Sequence, residues 1–145
     1  MLKGIDPLLS PELLAALRGM GHGDTIAIVD ANFPAETNAR RLIRLDGHGS
    51  APVLDAVLSV MPLDDFEPDA AQHMQVVGDA AQEMPIFAEF CRVLARHEPR
   101  MQGALGGLER HAFYAAARAA FAIVATGETQ LYGNIVLRKG VIRTL

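Results

Sequence analysis

Two short runs constrain this chain more than anything else in it: Thr25-Ile-Ala-Ile-Val-Asp30 and Phe121-Ala-Ile-Val-Ala-Thr126. Each is apolar at nearly every position and carries β-branched residues. A strand of this kind has no face to give to water, so it belongs inside a sheet covered on both sides. Segments with helical patterning separate the candidate strands. Ser10-Pro11-Glu12 opens a helix well: serine is a favoured N-cap, proline suits the first helical position, and an acid complements the positive end of the dipole. Leu9, Leu13, Leu14, Leu17 and Met20 form its apolar stripe, and Gly21 is its expected left-handed C-cap. Arg41–Leu45 reads as a second strand. Gly47–Ser50 reads as a turn in which Ser50 caps a helix carrying Val53, Leu54, Val57, Leu58 and Met61.

Pro62–Pro68, acidic and bounded by prolines, reads as a solvated loop, and Gln72–Val77 as a third strand. A helix is expected from Ile86 to about His97 and another over Arg110–Ala119, where alanines favour it. Gly133–Lys139 suggests a last strand ending at Gly140. Gly103–Gly107 gives no clear signal. Strands alternating with helices predict an α/β domain with a largely parallel central sheet. No linker or internal repeat divides the 145 residues, so residues 1–145 are expected to form one domain.

The balance of charge narrows the partners. A formal net charge of −4 and a pI near 5.7 disfavour a binder of phosphate backbones. The most apolar stretch, Ala112–Thr126, is broken by Arg118 and too short for a membrane span. A single cysteine, Cys91, leaves no intramolecular disulfide framework, and mid-helix it reads as a small buried hydrophobe rather than a nucleophile. With no secretory signal at the start, these features predict a cytoplasmic protein with no nucleic-acid or membrane partner. Cofactor signals are missing as well. There is no phosphate-binding glycine-lysine loop, and Gly19-Met-Gly-His-Gly23 stands between a helix and a strand, the reverse of a dinucleotide turn. The five histidines are scattered, so no metal site is predicted.

Several residues remain that suit chemistry on a polyol. His22 sits between glycines where a helix hands over to a strand, and imidazole exchanges a proton near neutrality; a plain turn histidine is the competing reading. Asp30 ends the first buried strand, at the carboxyl edge where open α/β sheets place ligands, or else caps the loop that follows. Tyr132-Gly133-Asn134 offers a phenol and an amide that both donate and accept, as sugar hydroxyls require, or else a simple turn. Arg110 stands at a helix start, where the dipole does not favour a cation, which points to another role; a surface ion pair is the ordinary competing reading.

Taken in order, Met1–Pro7, Leu9-Ser-Pro-Glu-Leu-Leu14, Met20-Gly-His-Gly-Asp24, Asp30-Ala-Asn-Phe-Pro-Ala35, Arg110-His-Ala-Phe-Tyr114, Phe121–Glu128 and Tyr132-Gly-Asn-Ile135 resemble the ribose pyranase and fucose mutarotase family, in its fucose branch. The resemblance implies a compact three-layer α/β/α fold, a homo-oligomeric ring (often a decamer) and mutarotation of a free monosaccharide, most readily L-fucose, with no cofactor. It implies that His22 is the proton-donating catalytic residue, and that Asp30, Arg110, Tyr132, Gly133 and Asn134 contact the sugar. Asp64–Gly107 matches poorly and receives no role, and His111 stands where an aromatic is expected.

Opening a cyclic hemiacetal takes a proton from the anomeric hydroxyl and gives one to the ring oxygen; closure on the other face reverses both transfers. One acid and one base suffice, with Tyr132 the candidate partner of His22. The eight residues from His22 to Asp30 can span up to about 26 Å if extended, more than one sugar bridges. Either the turn folds the histidine back, or neighbouring subunits complete each site; the second is expected. The competing functions are a non-catalytic sugar-binding or transport-accessory protein, and a mutarotase or pyranase for another sugar such as ribose.

Overall fold

Thr25–Val29 forms β1, hydrogen-bonded along both sides, as its unbroken apolar run demands. The computed structural model describes residues 1–101 and 104–144. In chain order the elements are α1 (Pro11–Gly19), β1, α2 (Ala35–Asn38), β2 (Leu42–Leu45), α3 (Ser50–Leu58), β3 (Ala71–Met74), α4 (Pro85–His97), β4 (Leu105–Leu108), α5 (Arg110–Ala119), β5 (Ala122–Thr126) and β6 (Ile135–Arg138). The strands lie in the order β2-β5-β1-β6-β3-β4. All neighbours pair in parallel except at β6, which runs antiparallel to both β1 and β3. The expected largely parallel sheet is present, with one reversed strand at its middle.

Side chains along each strand alternate between two cores. Ile26 and Ile28 of β1 face α1, α3 and α4, meeting residues such as Leu13, Leu54 and Phe87. Ala27 and Val29 face the other way, onto Phe33, Phe113 and Ala117 of the α2 and α5 side. This is the three-layer arrangement. Small residues in the central strands (Ala27, Ala122, Ala125) let the helices sit close to the sheet, and Phe113, fully buried, fills the space they leave.

Several local expectations change. Ser10 caps α1 by accepting from the Leu13 amide at 3.2 Å, but the helix stops at Gly19, with Met20 already extended. Gly21 is not the left-handed cap; the positive φ falls on Gly23, at 88°. The end of α1 is satisfied instead by Lys139, whose Nζ donates to the carbonyls of Leu17 and Met20. Ser50 is the first residue of α3 rather than its cap; Gly49 holds that position, and Glu128 accepts from the Ser50 amide at 3.2 Å. The Pro62–Pro68 loop is not wholly solvated: Leu63 and Asp64 are buried. Cys91, expected to be buried, lies on the outer face of α4 and is exposed. The third strand ends at Met74, short of Val77, and Leu105–Leu108 in the unassigned segment is β4, while Gly103 lies outside the described residues. Among the described residues no helix is long and apolar enough to cross a membrane.

The turn after β5 approaches the end of β2 so closely that a Cβ on Gly127 would run into the Asp46 carbonyl. That atom is backbone and cannot rotate aside. Gly127→Ala is therefore expected to destabilise the fold by at least about 1–3 kcal/mol in urea titration, the usual cost of forcing extra volume into a packed site.

Candidate active site

Because β6 is reversed, the residues that enter it share an edge of the sheet with the residues that leave β1, β3, β4 and β5. Asp30, Gln75, Arg110 and Tyr132-Gly133-Asn134 all collect there. Asn134 fixes the centre of this edge. Its Oδ1 accepts from the Asp30 amide at 2.8 Å and its Nδ2 donates to Asp30 Oδ2 at 3.1 Å. The other Asp30 oxygen accepts from the Asn32 amide at 3.0 Å, the Asx-type turn expected where a strand gives way to a loop. Asp30 and Asn134 are both buried. Burial pushes the Asp30 carboxyl above the usual range, and hydrogen bonds from Asn32, Phe33, Asn134 and Gly133 recover only part of that shift.

Tyr132 takes a left-handed backbone, φ 63°, uncommon for a residue with a bulky side chain. Its ring packs against both cores and its hydroxyl accepts from the Val77 amide at 3.1 Å. Gly133 is required by close approach: a Cβ there would meet Glu128 Cγ and Ser50 Oγ. The Glu128 carboxylate in turn accepts from Gln130 at 2.9 Å and from the α3 amide of Ser50, so it ties the 128–134 segment to a helix start, where negative charge is favoured. Beside this segment, Gln75–Ala80, Glu109 and Arg110 line a cleft of about 310 Å³, while Asp30, Phe33–Thr37, Arg44 and Thr126 border a second of about 220 Å³. Arg110, exposed at the first turn of α5, leaves the capping to Glu109, which accepts from His111 and Ala112; its guanidinium lies 5.9 Å from the Tyr114 centroid.

His22 is not with them. It precedes β1, at the opposite edge, and the strand between sets it about 20 Å from Asp30 at the usual rise per residue. The turn does not fold the histidine back. Its partners there are ones the sequence did not suggest: Nε2 lies 3.0 Å from Asp64 Oδ1, and the Phe66 ring is 5.0 Å away, tilted by 51°. The His22 side chain is 43 % exposed, that of Asp64 3 %. Burial raises the Asp64 carboxyl, but hydrogen bonds from His22 and the Phe66 amide, with the charges of His22 and Arg138, together hold it below the ordinary carboxylate range. Asp64 and Glu128 thus join the picture late. Their sequence signals were an acid within a proline-bounded loop and an acid after a strand, both usual for solvated positions.

Among the described residues no group of three or more His, Cys, Asp and Glu side chains is placed to hold a metal ion. What this chain offers is an approachable imidazole at one edge and, at the other, a phenol, an amide, a carboxylate and a guanidinium, groups whose chemistry suits hydroxyls. The Asp30–Asn134 pairing yields a clear expectation. Asn134→Asp sets a second carboxylate against one whose charge is already disfavoured, so stability at pH 7 should fall by about 1–3 kcal/mol. A carboxyl whose folded pKa is raised contributes stability when protonated and loses it as pH rises, so chemical denaturation should show the variant recovering towards wild type as pH is lowered to 4.

Comparison with known proteins places these features in a family. Residues 3–142 match the RbsD / FucU transport protein family. The chain is 46 % identical to the fucose mutarotase of Homo sapiens, over 97 % of this chain and 94 % of that one. It is 39 % identical to the L-fucose mutarotase of Glaesserella parasuis, over 100 % and 99 %. The crystal structure of the fucose mutarotase from Streptococcus pneumoniae in complex with L-fucose superposes with a TM-score of 0.90 at 41 % identity, covering 98 % of this chain and all of that one. On a match that runs almost from end to end, in sequence and in fold, the chain belongs to the RbsD / FucU family.

Proposed function

We propose that this protein is an isomerase that interconverts the α and β anomers of L-fucose, by opening and closing the hemiacetal ring at a site shared between two copies of the chain. The observation that carries this reading is the division of the groups. An acid–base imidazole stands at one edge of the sheet and the hydroxyl-binding set at the other, about 20 Å apart by strand length, so neither edge alone surrounds a sugar. Relatives of nearly equal length bear the name fucose mutarotase, and one of known structure holds L-fucose.

In this reading Arg110, Asp30 and Asn134 hold the hydroxyls of the sugar, with Gly133 giving its segment room to approach. His22 from a neighbouring copy, the proton donor of the closing step, takes the proton of the anomeric hydroxyl as the bond from C1 to the ring oxygen breaks and gives it back when the ring recloses. The Tyr132 phenol gives a proton to that ring oxygen, and the open-chain aldehyde results. Rotation about the C1–C2 bond and reclosure on the other face return both protons, so atoms and charges balance without any cofactor. The protein acts as one domain within a homo-oligomeric ring, a decamer by family resemblance. The exposed free thiol of Cys91 suits a reducing compartment, and the cytoplasm is the proposed location.

Exchange spectroscopy on L-fucose anomers tests the reading. Wild-type protein accelerates α–β exchange, His22→Ala loses about 10²–10⁴ of that acceleration, and protein dissociated to monomers loses it as well. A sugar-binding protein without activity would broaden or shift the anomer signals and leave their exchange rate at the buffer value.

A further inference from the structure

We propose that Val77 is a positioning residue of the reaction through its backbone amide, which holds the Tyr132 phenol oxygen and stabilises the negative charge left there when the phenol gives its proton to the ring oxygen of the sugar. The proposal rests on the reading of Tyr132 as the acid of ring opening. It adds what keeps that acid in place and what stabilises it once it has acted.

Three observations converge. The first is the contact: the Val77 amide donates to the Tyr132 hydroxyl at 3.1 Å, across 55 residues of sequence. A phenol oxygen has one proton to give and lone pairs to accept with. The amide occupies a lone pair, so the phenol's own proton is directed away from Val77. The second is that the amide is held on both sides. Before it, the Met74 amide donates to the Asn134 carbonyl at 3.3 Å and the Gln75 amide to the Leu108 carbonyl at 2.8 Å. After it, the Asp79 amide donates back to the Val76 carbonyl at 3.1 Å, and Gly78 has a φ of 80°. Val77 itself is not left-handed, so Val76–Asp79 is a type II turn, with Gly78 at the position that demands a positive φ. Asp79 extends the turn, accepting from the Ala81 amide at 3.2 Å with its side chain and from the Gln82 amide at 3.1 Å with its carbonyl. The third is the place. Val77 lines the 310 Å³ cleft together with Arg110, while its side chain is exposed, so the amide is what this turn offers to the phenol.

The chemistry gives that amide its use. As the bond from C1 to the ring oxygen breaks, the Tyr132 proton passes to the ring oxygen and the O–H electron pair stays on the phenol oxygen as a phenolate. His22 of the neighbouring copy holds the anomeric proton as an imidazolium, so the two charges balance, and reclosure returns both protons. An N–H bond to a charged oxygen is roughly twice as strong as one to a neutral oxygen. The Val77 contact therefore tightens as the proton leaves, and it lowers the barrier more than it favours binding. A dipole already aimed by a closed turn needs no reorganisation at that moment.

Proline is favoured at the second position of a type II turn, so Val77→Pro keeps the turn and removes the N–H. It should lower kcat for L-fucose anomer exchange about tenfold to a hundredfold, with KM changed less than about twofold. In Tyr132→Phe, which lacks the phenol oxygen, the same change should lower the remaining rate by less than about twofold, whereas a turn needed only for structure would lower it as much as in wild type. Hydrogen exchange adds a measurement that needs no altered turn: the Val77 amide should exchange about tenfold or more slowly in the wild-type assembly than in Tyr132→Phe. Val77→Pro with the wild-type kcat or a change in KM alone, an equal loss in both backgrounds, or a Val77 amide that exchanges equally fast in both proteins overturns the proposal and leaves the Tyr132 assignment intact. Should Tyr132→Phe exchange anomers as fast as wild type, the assignment itself falls and the proposal with it.

Discussion

The Asn134 side chain grips Asp30 at two points, through the backbone amide and through the carboxylate, and both residues are buried. This contact joins the end of the most deeply enclosed strand to the start of the one strand that runs against the others. If β6 ran parallel to its neighbours, Tyr132–Asn134 would enter the sheet at the opposite edge and Asp30 would have no partner. The reversal brings a phenol, an amide, a carboxylate and a guanidinium to one rim, where the strand ends leave unpaired backbone for loops to cover. Glu128 then fastens the loop between β5 and β6 to the first amide of α3, so that the rim is held from both sides.

The same reversal sends the end of β6 to the far edge, and there it organises a second centre. Arg138 and Lys139 offer consecutive carbonyls to Asp64 and Gly23, and the Lys139 side chain closes the end of α1. One short strand therefore positions the phenol and amide of the carboxyl rim with its beginning and the imidazole with its end. The separation of the two centres follows from strand length, and the function proposed above has opposite edges of neighbouring copies brought together in an assembly so that both act on one sugar.

Much of this was legible where the cause is local. β1 and β5 could be read because β-branched apolar runs suit few environments besides a covered sheet, and α1 because Ser10, Pro11 and Glu12 each satisfy a separate demand of a helix start. The candidate residues of the carboxyl rim were legible for the same reason: they stand beside strand ends. What escaped depends on partners far along the chain. Asp64 is buried because His22 and the end of β6 meet it, and within its own loop it looks like any solvated acid. Ser50 was expected to cap α3, yet Glu128, 78 residues away, takes the amide there and leaves Ser50 as the first helical residue. Gly21 looked like the helix cap, but Lys139 already satisfies those carbonyls, and the left-handed turn moves on to Gly23. The direction of β6 has no signature in its own four residues, since Ile135–Arg138 would suit either orientation.

In the proposed assembly each site joins the His22 edge of one copy to the Arg110 edge of another. This arrangement is tested most directly by mixing two inactive variants, His22→Ala and Arg110→Met, dissociating them together and reassembling them at equal concentration. Random reassembly gives intact His22 and Arg110 at roughly a quarter of the sites, and anomer exchange on L-fucose should return to that fraction of the wild-type rate. A mixture that stays as inactive as its two components would contradict the shared site and place both groups within a single chain.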